Sequence, residues 1–143
     1  MPNTSIITAA VHAVLVGDTG LTSLCTVHRG ARRPSGAANP VLTIHANRLE
    51  PGEGDGIWMC DIMVTVYVDT LANRMIDQET HDAIAARIGS LLDDFELDIP
   101  SGHAHPLIAG GVSDPEWHPR HDRETAHVLT FGLIFVDFGI SAA

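Results

Sequence analysis

Nine histidines occur among the 143 residues, and a group of possible metal ligands gathers late in the chain: His103, His105, His118, His121, Asp122 and His127. Imidazole nitrogens joined by a carboxylate suit zinc or a similar ion, and His103 and His105 share a side if the backbone is extended. A working metal site needs ligands held on rigid elements. Neither His103/His105 nor His118/His121 sits on a firm element, so they read as surface histidines in loops. Asp93, Asp94 and Glu96 could act as paired carboxylates in acid–base work, but a solvated acidic face accounts for them at less cost. Cys25 and Cys60 are 35 positions apart, a spacing that fits neither a metal site nor a disulfide framework. They read as free thiols in a reducing cytosol. There is no phosphate loop, dinucleotide fingerprint, nucleophile elbow or helical metalloprotease motif. The sequence therefore names no catalytic residue, no metal ligand and no cofactor.

The length fits one domain spanning 1–143, able to bury about 70% of its unfolded surface without a staple. A hydrophobic fraction of 45% marks a folded chain. The net charge is −10 and every cation is an arginine. Broad gripping of nucleic acid needs clustered positive charge; this chain suits DNA that passes by without sticking. The start lacks a positively charged leader, and the apolar run 6–16 is too short to span a bilayer, so no membrane partner is expected.

Candidate ligands and contacts must be positioned by a scaffold, and its centre is the stretch 57–95. Trp58, Cys60, Ile62, Val64, Val66 and Val68 occupy every even position of 58–68, which predicts a strand with one buried side. The period then becomes helical: Thr80, Ile84, Ile88, Leu92 and Phe95 form one stripe. Asp77 is placed to cap that helix, and Gly89 inside it points to close packing on a neighbour. The simplest arrangement lays the helix across the even side of the strand.

Around this pair, Thr4 or Ser5 caps a first helix to about Val16, and a short helical turn follows at 21–25 with Leu21 and Leu24 folding back onto the core. Residues 27–39 read as an extended arm carrying Arg29, Arg32 and Arg33. Strand 41–46 pairs antiparallel with 57–69 through the glycine-rich connection 48–56. Residues 103–124 form a second extended loop, with a short edge strand around Leu107 and Ile108 and an exposed Trp117. The strand 125–138 is apolar on both sides: Leu129, Phe131, Leu133 and Phe135 alternate with Val128, Ile134, Val136 and Phe138. It needs a second cover, either the first helix or another subunit. The expected fold is α+β: a small antiparallel sheet of about four strands with helices packed on one face.

In order, these pieces resemble the tail-terminator (tail-completion) proteins of long-tailed bacteriophages. The resemblance rests on Gly20-Leu21-Thr22-Ser23-Leu24 after the first helix, on Ala38-Asn39-Pro40-Val41-Leu42-Thr43-Ile44 and on Val66-Tyr67-Val68-Asp69. The helix over 76–95 and the strand over 127–138 complete it. It implies a virion protein of the tail or neck, assembled in the host cytoplasm. Such proteins form a homohexameric ring that caps the head-proximal end of the tail tube. The implied partners are the tail tube protein and the head-tail connector, with DNA in the lumen. Arg29, Arg32, Arg33, Trp117, Phe131 and Phe135 are then candidates for subunit or ring-layer contacts. The alternatives are a head-to-tail connector (neck) protein and a small metal-dependent hydrolase built on the histidines.

Overall fold

A computed structural model of the chain describes residues 3–100, 102–117 and 123–137. Helix α1 (Thr4–Val16) opens it, and the Asn3 side chain accepts the Ile6 N–H at 3.0 Å. The cap thus has the expected chemistry, one residue before Thr4. Ile7, Val11 and Leu15 face the core. Helix α2 (Thr19–Thr22) is capped by Asp18, whose carboxylate also takes two hydrogen bonds from Arg87, at 2.6 and 2.5 Å. Arg87 lies on helix α3 (Gln78–Leu92), so this fork fastens one helix to the other, and it holds the Asp18 carboxyl below its ordinary range. Leu21 is buried as expected, but Leu24 is exposed.

The sheet corrects the expected fold class. Among the described residues, eight strands form one curled mixed sheet rather than a small antiparallel sheet of about four. They are β1 (Thr26–Arg29), β2 (Val41–Ala46), β3 (Glu50–Pro51), β4 (Ile57–Asp69), β5 (Gly102–Ala104), β6 (Ile108–Val112), β7 (Glu116–Trp117) and β8 (Glu124–Asp137). The main path runs β1-β2-β4-β8-β5. β3 continues the β2 side of β4, while β6 and β7 pair with β8. The sheet is mixed because β1 runs parallel to β2. Parallel neighbours need a connection that returns to the starting end, and residues 30–40 supply it. The predicted arm therefore begins as a strand.

Alternation sets the core. Cys60, Ile62, Val64, Val66 and Val68 of β4 are buried with Leu129, Phe131, Leu133 and Phe135 of β8 and Leu42, Ile44 and Ala46 of β2. Ile84, Ile88 and Leu92 of α3 join the same cluster, along with the apolar stripe of α1. Asp77 caps α3 as expected. Phe95 departs from the stripe and is 39% exposed. The helix stops at Leu92 and Asp94 takes a left-handed conformation, φ 60°, so the chain turns before Phe95 can reach the core. Gly89 has no atom within 4 Å of an added Cβ. The close packing expected there is absent.

Gly102 is where the backbone approach is tight: a Cβ would fall 2.1 Å from the Phe135 ring and 2.5 Å from the Val136 carbonyl oxygen. Gly102→Ala should therefore destabilise the chain by ~1–3 kcal/mol, the usual cost of overpacking. Urea denaturation of the two proteins checks it, and equal midpoints would refute the β5–β8 packing.

Candidate interaction surface and buried polar groups

The returning arm lies on the side of the sheet away from the helices. Arg33 pairs with Glu124 at 2.8 Å, and Asn39 donates to both Glu124 and Asp69 at 2.7 Å. Arg33 also donates to the Pro34 and Ala37 carbonyls, so it both closes the arm and clamps it to β8. Beneath the arm Val41, Thr43 and Tyr67 are buried, although Tyr67 belongs to the side of β4 expected to be wet. Burial raises the Tyr67 hydroxyl above its ordinary range. Glu124 is 5% exposed and its Oε1 has no hydrogen-bond partner. The Arg33 guanidinium is thus its principal compensation.

On the opposite side, two histidines separated by 46 positions meet. His81 of α3 and His127 of β8 approach Nδ1 to Nδ1 at 2.5 Å, and His81 Nε2 lies 2.7 Å from Thr125 Oγ1. The Thr125 hydroxyl donates its single proton to the Val68 carbonyl at 3.3 Å, so it accepts from His81 Nε2–H. A neutral His81 then carries a bare Nδ1, which must accept Nδ1–H from His127. That leaves His127 Nε2 as a buried lone pair without a partner. Burial pushes both rings below the ordinary imidazole value. His127 falls to about 4, with His81 lowering it further and Asp82 opposing. Asp77 and Asp82 oppose the shift at His81. The chain of bonds holds α3 to the sheet in one protonation state.

Other predicted residues are scattered. His103 and His105 rings stand 5.8 Å apart, both exposed at the sheet edge; His118, His121 and Asp122 lie outside the described residues. No group of three or more metal-ligating side chains comes together among the described residues. Asp93, Asp94 and Glu96 are exposed. Arg29 donates to the Ser5 carbonyl at 3.0 Å, Arg32 is exposed, and Trp117 is 44% exposed on β7. Phe131 and Phe135 are fully buried within this chain's own core. The side of β8 open to another chain is the other one: Val128, Thr130, Ile134 and Val136 are half-exposed. There a groove of about 410 Å³ is lined by Arg48, Met59, Asp61, Ile108, Thr130 and Ile134 among others.

No family model matches the chain, and no curated protein does. Solved structures do match in fold. A chain from the structure described as the virion of native gene transfer agent (GTA) particle superposes with TM-score 0.74 and 18% identity. The match covers 91% of this chain and 94% of that one. A second solved structure matches at TM-score 0.60 and 13% identity, over 94% of this chain and 95% of its own. These likenesses establish a shared fold along nearly the full length.

Arg33→Ala strands the buried Glu124 carboxylate and should cost about 3 kcal/mol. Arg33→Ala with Glu124→Gln should recover part of that loss, and denaturant titrations of the four proteins in the cycle measure it. The histidine pair sets a pH dependence. His127 has a lower pKa folded, about 4, than its ordinary 6.5, so between those values the unfolded chain binds more protons. Its contribution is full above 6.5 and is lost as pH falls toward 4. His127→Gln should flatten the fall of the melting temperature across that window; an unchanged slope would exclude a buried neutral His127.

Proposed function

We propose that this chain is a structural protein of a phage-like virion. The observation that carries the reading is the fold shared over nearly its whole length with a chain of a gene transfer agent virion. More finely, we infer a tail terminator: a ring of six that caps the head-proximal end of the tail tube and joins it to the head connector. The order of elements supports this. α1, the turn at Leu21, the arm, the strand opened by Pro40, and the β4–α3–β8 set follow the order expected of that family. The half-exposed side of β8 and the basic arm offer surfaces to neighbours, and the −10 charge suits a lumen through which DNA slides.

Such a ring works by occupying the axial surface that the next tube ring would take, while presenting a different surface above. It needs binding energy repeated at every subunit contact, and no reacting group. Deletion of this protein should leave packaged heads unjoined to tails and tubes of uncontrolled length. Electron micrographs of a deletion lysate decide it, and normal-length tails attached to heads would overturn the assignment.

A further inference from the structure

Among the described residues the sheet has two open ends: β1 pairs only with β2, and on the far side of β8 lie β6 and β7, whose pairings run to β8 alone. Open edges invite pairing, and folded proteins blunt them with charge, proline or covering elements. β6 reads Ile108-Ala109-Gly110-Gly111-Val112, with no charge and no proline, and every residue is exposed. Its one irregularity is a bulge between Ala109 and Gly111. Ile108 is 62% and Val112 60% exposed, and Trp117 extends the apolar edge along β7. At the other end, exposed Leu24 and half-buried Val27 lie at β1.

We propose that successive copies of this chain join edge to edge, β6 of one pairing with β1 of the next. The sheet would then run continuously around the assembly. This rests on the ring reading above and names the surface that closes the ring. Strand direction favours it. β1 is parallel to β2, β2 antiparallel to β4, β4 to β8, and β8 to β6. β6 therefore opposes β1 in direction, and two copies related head to tail meet as antiparallel neighbours, the more stable pairing. Two different patches on one chain are what a closed ring requires.

Single cysteines report the contact directly, because Cys25 and Cys60 are buried. Thr26→Cys and His28→Cys mark β1; Ala109→Cys and Val112→Cys mark β6. Oxidation of mixed variants, in concentrated protein and in isolated particles, should link β1 to β6 across chains and never β1 to β1 or β6 to β6. Ile108→Lys with Val112→Lys, both at exposed positions, should weaken assembly at least ~10-fold by charging the edge, with the melting temperature unchanged. A ring that forms without any β1–β6 link, or that survives the two lysines, overturns edge pairing and leaves the ring reading standing. A chain that stays monomeric in solution and occurs singly in the particle overturns both.

Discussion

In-register pairing of Ile57–Asp69 with residues 124–136 commits two side-chain rows at once. Ile62 faces the same way as Phe131 and Val64 the same way as Leu129, and α3 packs on the row they make. A slip of one residue would send the whole row to the arm's side and bring Asp61, Thr130 and Gly132 under the helices. β2, the arm, and the three short strands β5 to β7 all take their places from this ladder. So does the difference between the covered and the open part of the outer face.

Both polar clusters sit at one end of that ladder, on opposite sides, and each meets the cost of burial differently. Val68 pairs with Thr125 and Asp69 with Glu124. On the helix side, His81, His127 and Thr125 remain neutral and pass hydrogen bonds in one direction to a backbone carbonyl. On the arm side, Glu124 takes Arg33 and Asn39 as partners. Neutral tautomers suit the drier side, since a charged ring there would lose more in hydration than Asp77 and Asp82 return. The ionic cluster suits the edge of a loop that still touches solvent.

β4, α1 and α3 were legible in the sequence because each repeats its period long enough to show. β1, β3, β5 and β7 are two to four residues long, and no alternation can appear in so few positions. Tyr67, Val41 and Thr43 were illegible for another reason: what buries them is an arm that arrives from a different part of the chain. The histidine pair did leave a trace. His81 lies three residues before Ile84 and seven before Ile88, on the apolar stripe of α3, and His127 stands in the same row of β8 as Leu129 and Phe131. A polar residue on each of two buried faces was the signal, but only the fold shows that they meet. The stretch 103–127 gathers histidines by sequence, whereas the sheet puts His103 and His127 on different sides. Phe131 and Phe135, offered from the sequence as ring contacts, lie on the side of β8 that the helices cover.

Connectivity gives this sheet an order of construction. β8 lies between β4 and the edge formed by β5, β6 and β7, yet it follows all of them in the chain. During synthesis, β1, β2, β4 and both long helices emerge before the strand that completes their core, and contacts so far apart in sequence form slowly. β6 has no sheet to join until β8 is in place. A truncated or stalled chain therefore lacks an ordered β6 edge and cannot present it to a neighbour. Completion of the fold acts as a checkpoint, admitting only finished subunits to any assembly that uses that edge.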